Sequence, residues 1–257
     1  MQIDFDKGLI NAPGFLGFAP AKEQEDLLGI LDAFVSNPIS YRPRKAASNA
    51  ASLTLTGSSL LHSGWPNPGF SKALDLYAAR WERAELPIIL SLVESDPDRL
   101  AKMVSRLESL SNILAIQLLL GEDFSPALMR DLCAAARGEL PLIAQVPMER
   151  CLEIGPDLIA AGAAAISMGP SRGRISNEGV EEEVFGRIYG PALFPRALQI
   201  CAQLEELDLP FIASNGVYAP DQASDLLVGS ALAVQLDGVL WKSDFEPHQW
   251  RELKAAK

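Results

Sequence analysis

Histidine is scarce in this 257-residue chain: His62 and His248 are its only two. Histidine-based metal binding or triad chemistry has little to draw on. Three cysteines, Cys133, Cys151 and Cys201, form an odd and widely spaced set with no CxxC pair. That argues against a disulfide framework, a zinc site or an intrinsic iron–sulfur centre. Basic residues are outnumbered, 22 against 33 acidic, for a net charge of −11. A nucleic-acid or anionic-membrane surface, which needs a basic face, is not expected. One local anion site remains possible. No apolar run reaches the roughly 18 residues of a membrane span. The start, MQIDFDKGLI, carries two aspartates where a signal peptide has basic and then apolar residues. The expectation is a cytoplasmic protein. A G-x-G-x-x-G fingerprint is also missing, which counts against an open dinucleotide-binding sheet.

What the chain does contain is a 48% hydrophobic and 21% charged mixture, ordinary for a protein with a sizeable core. Short apolar runs (PIILSLV, ILAIQLLL, PLIAQV, AAAISM, PFIAS, ALAVQL) read as parallel strands covered on both faces. They place strands near 9–12, 33–36, 86–93, 113–120, 140–146, 164–168, 210–214 and 232–236. Amphipathic segments at 71–84, 97–109, 125–137, 156–161, 192–207 and 220–228 read as helices, with a last one at 247–257. Asp96-Pro97 and Ser125-Pro126 are a cap followed by proline in the first turn. Eight strands alternating with helices in about 250 residues fit a single (β/α)8 barrel domain spanning 1–257. SLTLTG, at 52–57, adds a short β excursion after the second strand.

In such barrels chemistry sits on the loops at the C-terminal ends of the strands. The two sizeable loops are 37–68 and 169–190, where specificity is expected. Four stretches at this rim carry a family resemblance: INAPGFLGFAP from Ile10, SNPISYRPRK from Ser36, LLHSGWPNPGF from Leu60, and GRIYGPALFPRALQ with PFIASNGVYAPDQASDLLVGSALAVQLDGVLW. In order and spacing they resemble the dihydroorotate dehydrogenases and related flavin mononucleotide (FMN) barrels. The resemblance spans nearly the whole chain, specific in the last third and loose in the middle. It implies an FMN-dependent oxidoreductase in which hydride passes from substrate to flavin, and commonly a homodimer. It also implies cofactor contacts at Ala12, Gly14, Asn37, Gln145, Gly190, Asn215, Gly216, Asp237 and Gly238.

The resemblance also shows losses. Asn37 and Gln145 stand where the family has lysines, and Leu61 and Leu119 where it has asparagines. Ser167 falls near a further asparagine, and Glu122 near the family's cysteine or serine base. A lysine offers the reduced flavin a fixed positive charge, whereas an amide offers only a dipole. Leucine cannot read the polar groups of a pyrimidine carboxylate. The substrate is therefore expected to have diverged, with Glu122 as the candidate base. Glu122 and Asp123 read more readily as an acidic pair at a helix N-terminus, favoured by the helix dipole.

Candidate substrate contacts are His62, Gly64 and Asn67 in HSGWPNPG, with Arg172 and Arg174 in GPSRGRISNEG. With Arg187, these arginines can clamp an anion, or can pair with Glu181–Glu183 on a solvated loop. Asn215-Gly216 and Asp237-Gly238 suit phosphate-binding turns, although the Asp237 charge opposes a phosphate. Trp65 can stack on a bound ring or cover the rim. Cys151 reads as a buried helix-opening residue, and His248 has no assigned role. Two other classes remain open. One is a non-catalytic or regulatory barrel retaining a small-anion pocket; the other is a flavin-free lyase or isomerase using carboxylates.

Overall fold

The computed structural model describes residues 3–176, 183–251 and 253. In chain order its elements are β1 (Leu9–Asn11), α1 (Glu25–Leu28), β2 (Phe34–Val35), β3 (Ala51–Leu55), β4 (Ser58–His62), α2 (Phe70–Glu82), β5 (Ile88–Leu92), α3 (Pro97–Leu107), β6 (Ile113–Leu119) and α4 (Pro126–Ala135). Then come β7 (Leu142–Pro147), α5 (Cys151–Ala160), β8 (Ala165–Gly169), β9 (Arg172–Ser176), β10 (Glu183–Tyr189), α6 (Phe194–Glu206), β11 (Phe211–Ala213), α7 (Pro220–Val228) and β12 (Ala233–Leu236). Eight strands pair in parallel in the order β1-β12-β11-β8-β7-β6-β5-β2. A parallel bridge between Ile10 and Ala33 joins the two ends, giving the (β/α)8 barrel that the strand pattern predicts.

Local chemistry explains the element ends. The Asp96 carboxylate accepts from the Asp98 and Arg99 amides, and Ser125 Oγ from Leu128. Each caps a helix opened by proline. The β1–β2 seam has only that one backbone bridge. There Asn11 substitutes for a ladder: its Oδ1 accepts from Val35 N at 2.9 Å and its Nδ2 donates to Val35 O at 2.7 Å. Inside the barrel an apolar layer of Ile10, Val35, Ile89, Ala115, Ile143 and Ile212 is closed off by Ile3. A buried polar group lies among the inward residues: Gln235 Nε2 donates to Gln117 Oε1 and Ser167 Oγ to Gln235 Oε1, both at 2.8 Å. Outward residues of the same strands pack under the helices.

The excursions bear out the short strand after β2 and add to it. SLTLTG does form a strand, β3, but it belongs to a four-stranded antiparallel sheet ordered β3-β4-β10-β9. The loop after β2 contributes the β3–β4 hairpin, and the loop after β8 contributes β9 and β10. They meet where Leu61 pairs with Arg187 and Ser59 with Tyr189. Two differences concern helices. α5 starts at Cys151 and carries Pro156 within it, not at its start. The expected terminal helix is a single 3-10 turn, Pro247–Trp250; Glu252 and residues 254–257 lie outside the described residues.

Candidate functional site at the barrel mouth

The composite sheet rises from the C-terminal rim, and a cavity of about 490 Å³ lies where sheet and rim meet. Leu119, Gln145 and Gly169 from the barrel strands line one side, Glu122 and Asp123 another, and Arg44, Arg172 and Arg187 come from the excursions. A smaller cavity of about 160 Å³ lies toward β1 and β2, lined by Gly14, Asn37, Leu61 and Tyr189 among others. Trp65 and Arg187 line both cavities. The Trp65 ring stands against Gly14, where a Cβ would lie 2.6 Å from Cζ3. The Arg187 guanidinium covers the Trp65 ring at 3.5 Å from its centroid. Trp65 adopts φ 54, a left-handed conformation that costs a side chain of this size on the order of 1–3 kcal/mol.

Arg187 is the central charge. It is 5% exposed, and its Nε donates to Tyr189 Oη and its Nη2 to Ser63 Oγ, both at 3.1 Å. Both partners are neutral, and among the described residues no carboxylate pairs with it. Burial biases its proton affinity downward, Tyr189 opposes that, and Arg172 adds like-charge repulsion. Arg172 faces Arg187 directly across the β9–β10 pair. Like charges in that position repel, and Arg172 relieves part of this by pairing with Glu122 at 3.4 Å. The mouth therefore concentrates three arginines, of which one is buried without a counter-ion.

At the seventh and eighth strand ends, where barrels of this type hold phosphate, the structure is closed. The fully buried Asp237 carboxylate accepts from the Gly238 amide at 2.5 Å, from Ser214 Oγ at 3.5 Å and from the Asn215 backbone. A Cβ on Gly216 would meet Phe194 N, and one on Gly238 the Tyr218 hydroxyl. Burial raises Asp237 to about 6 despite these donors. Burial and Asp237 also raise Tyr218 to about 12, and burial raises Tyr189 to about 12, so both phenols stay protonated. Phe15, Tyr189 and Trp241 roof this end, with Phe15 and Trp241 stacked at 4.3 Å. These residues do not fit a flavin phosphate: an internal carboxylate takes the backbone donors that a phosphate needs, the Leu193–Phe194 backbone closes on Gly216, and the Tyr218 and Tyr189 side chains close on Gly238.

The predicted site residues fall into three groups. Glu122, Gln145 and Arg172 line the main cavity, and Gly14 and Asn37 the small one. Ala12, Gly190, Asn215, Gly216, Asp237 and Gly238 line neither. Ala12 donates its amide to Leu236 O, and Gly190 packs against Gly57 O of the hairpin turn. Asn215 donates to Gly169 O. The remaining candidates serve the excursions instead of the cavity. Arg174 pairs with the exposed Glu183 at 3.1 Å, so it follows the solvated-loop reading. His62 bonds Asn49 Oδ1, and Gly64 packs on the Ala47 backbone. Asn67 is buried, donating to Ser40 Oγ and Trp65 O and accepting from the Gly69 amide. Cys151 is buried, and burial pushes its thiol well up, so it is inert packing. Sequence reasoning missed Arg44; its place in SYRPRK, within a rim excursion, was the available signal.

Comparison with curated proteins finds relatives along almost the whole chain. The catalytic subunit of dihydroorotate dehydrogenase B (NAD(+)) from Pyrococcus furiosus is 24% identical over 269 aligned residues, 95% of this chain and 86% of that protein. The subunit of the same name from Methanocaldococcus jannaschii is 22% identical, covering 93% and 86%. A protein from Aeropyrum pernix with the provisional name dihydroorotate dehydrogenase A (fumarate) is 25% identical, covering 88% and 80%. No protein-family model matches the chain.

Proposed function

We propose, from the premise that this chain is a dihydroorotate dehydrogenase-like barrel, that its mouth binds a small non-flavin carboxylate against Arg187. The observation that carries this reading is a buried guanidinium bonded only to neutral oxygens and lining a 490 Å³ cavity. A buried charge without a counter-ion is costly, and a ligand carboxylate supplies the partner that the protein withholds. Arg44 and Arg172 add positive potential at the entrance, and Gln145 offers an amide to a polar group on the ligand. Glu122 adds a carboxylate to the lining of the same cavity, available to accept a proton from a bound molecule once Arg172 turns to the ligand.

Calorimetric titration with dihydroorotate or fumarate, the small carboxylates in the relatives' names, tests the reading. Wild-type protein is expected to bind at least one, and Arg187→Gln to bind it about 10- to 100-fold more weakly, the worth of one charge-assisted contact. Equal binding by both proteins, or none by the wild type, refutes it. The relatives' names favour a second reading, an FMN-dependent oxidoreductase. Purified protein that is yellow and releases FMN on denaturation supports that reading; colourless protein that takes up no added FMN removes it.

A further inference from the structure

We propose that Asp237 is a resident anion occupying this barrel's phosphate position, so that no phosphate-bearing ligand or cofactor is held there. This deepens the carboxylate reading, on which the identity of the admitted ligand rests. Backbone amides in the loops after the seventh and eighth barrel strands are suited to hold phosphate. Here those loops are Asn215-Gly216 and Asp237-Gly238, and the donors converge on one side chain of the protein itself. Gly238 N, the Asn215 backbone and Ser214 Oγ all point at the Asp237 carboxylate.

Helix capping alone does not account for this choice. Asp237 opens only the four-residue 3-10 turn Gly238–Trp241. Serine, threonine or asparagine would cap such a turn without burying a charge, and buried charges are retained at a cost. Asp237 is 2% exposed and, among the described residues, pairs with no cation. A second anion beside it would meet like-charge repulsion at low dielectric and find its donors taken. Tyr218 completes the exclusion, since its hydroxyl lies against Gly238 where an oxyanion would approach. Arg187 lines the mouth and Asp237 lines neither cavity, so the mouth keeps one anion position open while the one at the eighth strand is filled.

The test compares thermal melting of full-length wild type, Asp237→Gly and Asp237→Asn in inorganic phosphate and in chloride at matched ionic strength, with FMN uptake as a second reading. Phosphate is expected to leave the wild-type midpoint unmoved and to raise that of Asp237→Gly. FMN is expected to bind that variant about tenfold or more tightly than wild type, as one freed charge-assisted site allows. Asp237→Asn keeps the acceptor and the cap and removes only the charge repulsion, so a smaller gain over wild type carries the comparison if the glycine variant does not fold. Wild-type protein stabilised by phosphate or purified with FMN overturns the proposal, as do variants no more responsive than wild type. Carboxylate binding at Arg187 is scored with different probes, so the two readings fail separately.

Discussion

Replacing Asp237 with asparagine should make the protein more stable above neutral pH and leave its relative stability nearly unchanged in acid. The carboxylate is fully buried, and its folded value of about 6 lies above the ordinary aspartate value of 3.8. The folded protein therefore holds this proton more tightly than the unfolded chain. The stabilisation linked to that proton is fully present below pH 3.8 and is lost as pH rises through about 6. Each pH unit between the two values corresponds to about 1.4 kcal/mol, so ionising Asp237 costs the fold about 3 kcal/mol by pH 7.5. Asparagine carries no such cost. Its Oδ1 can still accept from the Gly238 amide, and the Ser214 hydroxyl can turn from donor to acceptor for Nδ2.

Urea unfolding of both proteins at pH 4.5, 6.0 and 7.5 measures the effect. The difference in unfolding free energy should widen in favour of Asp237→Asn by about 2 kcal/mol across that range. In thermal melts this corresponds to roughly 5–10 °C for a chain of this size. The buried backbone donors oppose the shift, and their effect is already contained in the value of about 6. Parallel stability profiles for the two proteins would refute the reasoning. They would mean that Asp237 titrates normally, in a hydrated position, and is not an uncompensated internal anion.

Arg187→Met should abolish carboxylate binding while leaving the melting temperature unchanged or higher, since it removes a buried charge that no carboxylate neutralises. Gln235→Leu should lower stability by about 1–3 kcal/mol in urea unfolding, because it removes the acceptor of Ser167 Oγ and the donor to Gln117 Oε1 in the barrel interior. Gly216→Ala should cost about 1–3 kcal/mol by the same measurement. Its φ of 81 strains any side chain, and the added methyl meets Phe194 N.

The barrel was legible because parallel strands buried on both faces leave long apolar runs, and each expected strand overlaps an observed one within a few residues. The rim excursions were less legible. β4 reads LLH at its end and β10 reads EVFGRIY, and neither carries the uninterrupted apolar run of a barrel strand. Their pairing joins segments far apart in the chain, which no local period records. α5 was mis-started because proline normally breaks a helix, yet Pro156 sits inside one here. At the site, residue type located the rim but not how near each side chain comes to the cavity. Arg172 and Arg174 look alike in SRGR; a two-residue step along β9 gives one the cavity and Glu122, and the other solvent and Glu183. Asp237-Gly238 resembles a phosphate turn until the carboxylate is seen bonded to the amide that a phosphate would take.

The arrangement of charge at the mouth depends on a neutral group. Arg187 and Asp237 are each buried, opposite in sign, and each interacts with Tyr189: the phenol oxygen accepts from Arg187 Nε, and the Asp237 charge helps to keep the phenol protonated. A direct Arg187–Asp237 ion pair would satisfy both ions and leave the mouth without a free charge. With Tyr189 held between them, the anion is spent on backbone amides at the eighth strand, and the cation is left for the cavity. The Phe15–Tyr189–Trp241 cluster fixes the tyrosine in that position. The composite sheet brings Arg187 opposite Arg172, whose own partner, Glu122, comes from the barrel rim. The scaffold is a (β/α)8 barrel with dihydroorotate dehydrogenases among its relatives at 22–25% identity, and the charges at its mouth suit the proposed ligand carboxylate. The position for a cofactor phosphate is filled from within the chain.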